Sequence, residues 1–311
     1  MSAFFVTLSA VAVLLITAAP GFILVKKKMI GEDFTAGFSK ILLYLCQPCL
    51  AVYTFSSATF SYELLIDMAI FLGLAALIHI IMLGATCLVM KKKFSDVASR
   101  IFTIASSFAN CAFFGIPIIE ALMPEAAGGL IIYTTVYALV MNIFGWTVGS
   151  AIISRDTKYI SLKKIFINPT VIGTVIAIPI FVFSISLPDN IADMVAIFAR
   201  MTTPVSMLIM GMRLATTSIK TVFLSLRTYI AVLTKGIIMP LVAFLAVFFI
   251  PLPTEVKATF FIICACPTAS IVLNFSELIG EGQREAASMV LLSTILSIAT
   301  LPVMVLLLPL L

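Results

Sequence analysis

Asn110-Cys111-Ala112-Phe113-Phe114-Gly115-Ile116-Pro117-Ile118-Ile119-Glu120 lies inside an apolar run that extends from Val97 to Ala121. An amide, a glycine and a proline interrupt what otherwise reads as one membrane-crossing helix. Proline lacks an amide donor and its ring crowds the preceding turn. A second stretch, Cys266-Pro267-Thr268-Ala269-Ser270-Ile271-Val272-Leu273-Asn274-Phe275-Ser276-Glu277, has the same character. Glu120 stands ten residues past Asn110, and Glu277 ten past Pro267. Pro48 precedes Asn110 by 62 residues, and Pro204 precedes Pro267 by 63. Three agreements in register point to two related halves.

The rest of the chain names the solvent. Of its 311 residues, 62% are hydrophobic and 11% charged, too little charge to cover a soluble domain of that size. Lipid fits, and about 20 apolar residues make a spanning helix. Ten stretches qualify, at roughly 4–25, 37–56, 65–90, 97–121, 128–153, 167–187, 190–212, 228–250, 257–280 and 285–310. They exceed the length of barrel strands and lack alternation. The expected fold is therefore all-α and polytopic, with ten transmembrane helices. Met1 to Phe5 carries no basic residue before the first apolar run, which reads as a first span and not a cleaved signal.

Loop charges set the orientation. The connections after spans 1, 3, 5, 7 and 9 carry Lys26, Lys27, Lys28, Lys40, Lys91, Lys92, Lys93, Arg100, Arg155, Lys158, Lys163, Lys164, Arg213, Lys220, Arg227 and Arg284, which is 16 of the 19 basic residues. The opposite connections carry only Lys257; Arg200 and Lys235 fall within spans. The basic loops face the cytoplasm and both termini face outside the cell membrane. The net charge of +5 thus belongs to membrane topology and not to nucleic-acid binding. Residues 1–153 form the first half, 154–166 a cytoplasmic linker and 167–311 the second half. Five spans per half is an odd number, so the halves are inverted.

Inverted-repeat transporters place substrate near the midplane, where discontinuous helices expose backbone groups. Spans 4 and 9 are expected to break there. The N-termini of their second halves, with free amides and the positive dipole end, favour an anion. Pro48, Pro117, Pro204 and Pro267 are the expected structural helix breaks. Simple kinking suffices for Pro20, Pro179, Pro240 and Pro302.

Six motifs occur in order: the Asn110–Ile118 stretch; Asn142-Ile143-Phe144-Gly145-Trp146-Thr147-Val148-Gly149; Asn168-Pro169; Pro204 to Ala215; Lys235 to Pro240; and Pro267 to Asn274. Over essentially its whole length the chain resembles the auxin efflux carrier family, in particular bacterial relatives of the plant PIN-FORMED carriers and malate permeases. The resemblance implies that the broken spans 4 and 9 cross near the midplane, and that spans 1, 2, 6 and 7 form a scaffold that is also a homodimer contact. It implies a transport unit of spans 3–5 and 8–10 that moves like an elevator, and substrates that are organic anions bearing a carboxylate. Where the family often has Asn-Thr-Gly, this chain has Asn110-Cys111-Ala112. Its central linker of about fourteen residues is far shorter than in the plant carriers.

Asn110, Cys111, Gly115, Ile116, Asn142, Pro267, Ser270 and Asn274 are the candidate substrate-binding residues. The amide of Asn110 can donate to a carboxylate, or tie the crossing together structurally; Asn142 either supports it or serves packing. Asp67, His79 and Lys235 are the candidates for coupling to protons or sodium, because ionisable groups inside a span are expensive. Each has a plainer alternative. Asp67 lies near a helix end, where the family resemblance implies a proton-linked carboxylate, and it can reach water. His79 can be a buried neutral ring, and Lys235 can snorkel.

No metal or cofactor is expected. Cys264-x-Cys266 points to two helix faces and no histidine lies near. Cys46, Cys49, Cys87, Cys111, Cys264 and Cys266 read as small hydrophobes. An enzyme is disfavoured, since neither a nucleophile–His–acid set nor a P-loop is present. Two alternatives stay open: a sodium-coupled carrier of the bile-acid-symporter type, and a non-transporting membrane sensor or lipid-binding protein. Glu120 and Glu277, about 15 Å along the helix from their breaks, are poorly placed for sodium.

Overall fold

A computed structural model of the chain describes residues 2–311 apart from Glu32, Thr157, Tyr159, Ser161, Ile219, Lys220, Thr221 and Leu224. Part of the 154–166 linker and the loop cation Lys220 therefore lie outside the described residues. The protein is all-helical, and among the described residues the β-structure is one isolated antiparallel bridge.

The helices, numbered along the chain, are α1 (Ala3–Lys26), α2 (Phe34–Ser56), α3 (Tyr62–Met90), α4 (Val97–Ala105), α5 (Cys111–Leu122) and α6 (Ala127–Ser154). They continue with α7 (Pro169–Val182), α8 (Asp189–Thr216), α9 (Leu226–Phe248), α10 (Thr254–Ala265), α11 (Ile271–Ile279) and α12 (Gln283–Val305). A short helix, Leu162–Ile167, precedes α7. Side-chain oxygens of Ser61, Asp96, Asn168 and Ser225 accept amides at the starts of α3, α4, α7 and α9.

Seven of these helices, not ten, are by themselves long and apolar enough to cross a membrane: α1, α2, α3, α6, α8, α9 and α12. The stretches at 97–121 and 257–280 are not single helices. The stretch at 167–187 contains a helix of 14 residues, α7. The reason is local: Asn110 and Pro267 sit where the i→i−4 ladder stops, and at Asn168 the side chain caps α7 afresh.

Pro48 does not end a helix, contrary to expectation. It follows a five-residue wide turn, Leu42–Cys46, through which α2 continues. The same arrangement precedes Pro117, at Cys111–Gly115, and Pro240, at Thr234–Ile238. Each wide turn ends two residues before its proline. The ring removes one donor and pushes away the carbonyl four residues back, and the ladder shifts to i−5. Thus the Gln47 amide donates to the Leu42 carbonyl, and the Met239 amide to that of Thr234. Pro204 is the third residue of the helical stretch Thr202–Thr216, where no amide partner is lost. The irregularity of α8 lies just before it, at Met201.

The solvent-facing surface is apolar: Ile16, Leu88, Phe183 and Phe249 are 70–80% exposed. The buried interior holds many hydroxyls, among them Thr7, Thr54, Thr103, Ser107, Thr134, Thr259 and Thr294, most of them donating to a backbone carbonyl of the preceding turn. That inversion of the soluble pattern suits a lipid solvent, and the protein is multi-pass.

Packing is crossed between the two halves. α1 packs on α8 and α12, while α7 packs on α2 and α6. α3 packs on α4 and α6, while α9 packs on α10 and α12. The α1–α8 approach is backbone to backbone: a Cβ on Gly21 would lie 2.1 Å from the Leu208 carbonyl oxygen, and one on Gly211 would lie 1.9 Å from that of Ala18.

Candidate functional site

The two non-helical stretches, 106–110 and 266–270, meet in the interior. The Asn110 amide donates to the Pro267 carbonyl at 2.8 Å, and the Ala269 amide to the Phe108 carbonyl at 2.9 Å. Ala109 and Thr268 form the isolated bridge between them. Thr268 fastens the crossing further. Its hydroxyl donates to the Ala105 carbonyl at the end of α4, and its amide to the Ser293 hydroxyl of α12, both at 2.9 Å. Sequence reasoning missed Thr268 and Ser293. The only signal was a hydroxyl directly after Pro267, which is too common to single out.

Four half-helix ends converge on this crossing. α4 and α10 arrive with their C-termini, α5 and α11 leave with their N-termini. At the departing ends, the amides of Phe113, Ser270 and Ile271 have no hydrogen-bond partner among the described residues, while that of Ala112 reaches the Cys111 sulfur. The side-chain amide of Asn110 is likewise without a partner there, although the residue is only 6% exposed. Its backbone holds the crossing while its side chain is spare.

The other candidates separate into groups. Cys111, Gly115, Ile116 and Pro267 are buried around Asn110, and a Cβ on Gly115 would meet the Cys266 sulfur at 3.8 Å, an ordinary contact. Ser270 is half-buried at the start of α11, and Asn274, one turn on, is exposed. Asn142 lies elsewhere in its hydrogen bonding. Its Nδ2 donates to the Ala138 carbonyl, and its Oδ1 accepts from Asn168 Nδ2 at 3.1 Å. Asn168 Oδ1 in turn caps α7. Asn142 thus ties α6 to the start of α7.

His79 is fully buried among aromatic rings. Its Nδ1 is 2.6 Å from the Ala75 carbonyl oxygen, its ring stacks on Phe144 and lies against Phe108 and Tyr137, and Nε2 has no partner. Lys235 is fully buried and donates to the carbonyls of Cys264 and Cys266, each at 2.7 Å. It does not snorkel. Asp67 is half-buried near the start of α3. Arg200 lies over the Tyr53 ring, 5.9 Å from its centroid. All six cysteines are free.

Ion pairs gather at the basic-loop end. Arg100 donates to Glu281 at 3.0 Å and to the Ile153 carbonyl, Arg227 pairs with Asp96, and Arg213 of α8 pairs with Glu277 of α11 at 3.0 Å. Asp96 lies in the connection before α4. Partial burial pushes its carboxyl upward, but the Arg227 guanidinium and the hydrogen bonds from the Ala98 amide and the Ser99 hydroxyl outweigh this and hold it below the usual carboxylate range.

A family model described as membrane transport protein matches the chain over residues 5–164 and over residues 155–305. No curated protein sequence matches the chain significantly.

Proposed function

The chain belongs to the membrane transport protein family, that of the auxin efflux carriers, and from that premise we propose that it is a secondary transporter of small organic anions. The observation that carries this reading is the set of unpartnered donors at the crossing: three backbone amides at two helix N-termini and the spare amide of Asn110. Buried donors without partners are costly. A carboxylate satisfies several of them at once and complements both dipoles. Asn110, Cys111, Gly115, Ile116, Pro267 and Ser270 would surround it, with Asn274 further along α11.

We read the fold as ten spans in two inverted repeats, α4–α5 and α10–α11 each forming one broken span. The packing supports this, because α1–α8 matches α7–α2, α1–α12 matches α7–α6, α3–α4 matches α9–α10 and α3–α6 matches α9–α12. In this reading α1, α2, α7 and α8 form the scaffold and the homodimer contact, and α3–α6 with α9–α12 form a unit that moves as an elevator. The Arg213–Glu277 pair joins scaffold to moving unit, so it must open during transport. Both termini face outside. Asp67 and His79 are the candidates for a proton-linked role.

Uptake of labelled mono- and dicarboxylates into sealed vesicles, with a proton gradient, a sodium gradient or none, tests the reading. Saturable flux of at least one organic anion is expected, and its absence across the panel would refute the proposal. Asn110→Ala removes one charge-assisted hydrogen bond, worth about 1.5–3 kcal/mol, or roughly 10- to 100-fold in apparent affinity. Its fold should survive, because the bond to Pro267 uses the backbone amide.

A further inference from the structure

Lys235 stands at the inward end of α10 with its ammonium against two backbone carbonyls, at 2.7 Å each. Both acceptors, Cys264 and Cys266, belong to the last turn and cap of that helix. A helix ends with unpaired carbonyls and about half a negative charge. The residue after Cys266 is Pro267, itself without an amide to offer. Paired carbonyl oxygens at a half-helix C-terminus, buried in a membrane protein, are the ligands that a monovalent coupling cation uses. Here the cation is a side chain.

No carboxylate accompanies it. None of the ion pairs among the described residues includes Lys235. The titratable groups that face it are the thiols of Cys264, Cys266 and Cys111 and the ring of His79. The ammonium is therefore balanced by the carbonyls and the dipole of α10.

The two halves differ at this position. Pro48 and Pro204 are 156 residues apart, and so are His79 and Lys235. His79 turns its Nδ1 to the Ala75 carbonyl of its own helix and packs among rings. It does not hold the end of α4; the neutral hydroxyl of Thr268 does, at Ala105. Of the two C-termini that point into the crossing, the end of α10 is the one with a cation, and that cation is covalently attached.

We propose that the Lys235 ammonium is a tethered cation occupying the place at the end of α10 where a mobile sodium ion would otherwise be required. The crossing is then complete without sodium, and transport does not draw on a sodium gradient. Only this last consequence rests on the proposed function.

The test melts the purified full-length protein in sodium chloride and in choline chloride at equal ionic strength. Wild type should have the same Tm in both. Lys235→Ala should melt roughly 5–10 °C lower in choline and regain about half or more of that loss in sodium or methylammonium chloride, by binding to the vacated carbonyls. Lys235→Met, which keeps the stem and fills the space, should melt low in every salt. A wild-type Tm that rises in sodium over choline would overturn the proposal. So would a Lys235→Ala protein that neither cation stabilises. If Lys235→Ala yields no folded protein in choline, recovery of folded protein in sodium or methylammonium supports the proposal, and failure to recover it overturns it. None of these readouts uses flux, so an organic-anion panel that fails would refute the proposed function alone.

Discussion

Asn168 shows how one side chain can serve two elements. Its Oδ1 caps α7, and its Nδ2 reaches Asn142 of α6. Asn168→Ala loses the cap, worth about 1 kcal/mol, and leaves the Asn142 carbonyl oxygen buried without a donor, which costs about 1–3 kcal/mol more. A lower Tm is expected, and Asn142→Ala should lower it less because the cap remains. From the sequence, Asn142 either supports Asn110 or serves packing; its hydrogen bonds lead to the start of α7. Asp96 contributes a pH dependence outside the membrane. Its carboxyl is depressed by Arg227 and its cap bonds, so it contributes stability above the ordinary carboxylate range, near 4, and loses it as pH falls through the depressed value. The Tm of Asp96→Asn should lie below wild type at neutral pH, and the gap should close on acidification. Because Asp96 is partly exposed, high salt should also narrow the gap.

At the scale of elements, two glycines decide how closely α1 and α8 approach. Small residues let membrane helices meet backbone to backbone. A Cβ on Gly211 would overlap the Ala18 carbonyl oxygen, and backbone cannot swing aside as a side chain does. Gly211→Ala should cost about 3 kcal/mol or more, read as a sharp drop in Tm or in yield of folded protein. Gly73→Ala, with nothing within 4 Å, should be neutral and serves as the control. The wide turns before Pro48, Pro117 and Pro240 belong here too. Proline marked each position in the sequence, but whether a proline ends a helix or only widens it depends on whether neighbouring chain offers other partners. Along α2 the shifted ladder supplies them. At the crossing, partners come from the other half of the chain.

For the whole molecule, the inverted reading makes a prediction about sidedness. In a cysteine-free background, single cysteines at Ser2→Cys and Leu311→Cys should react with a membrane-impermeant maleimide in intact cells. Lys92→Cys should react only after permeabilisation. Labelling of the two termini from opposite sides would be incompatible with ten spans. The ion pairs of Arg100, Arg213 and Arg227 all lie near the basic connections, as the positive-inside pattern places them.

The sequence by itself determined the solvent, the helical class and the family, because composition and charge placement act locally; of the four breaks it marked, Pro48, Pro117 and Pro204 lie within helices. It named Asn110 and Lys235 but could not assign their work. Only tertiary structure decided that the Asn110 backbone holds Pro267 while its amide stays spare. Only tertiary structure turned Lys235 away from the loops and onto the end of α10. Those outcomes depend on which groups from distant parts of the chain come within hydrogen-bond reach, and in a dry interior each unpaired group must find such a partner or bear its desolvation cost.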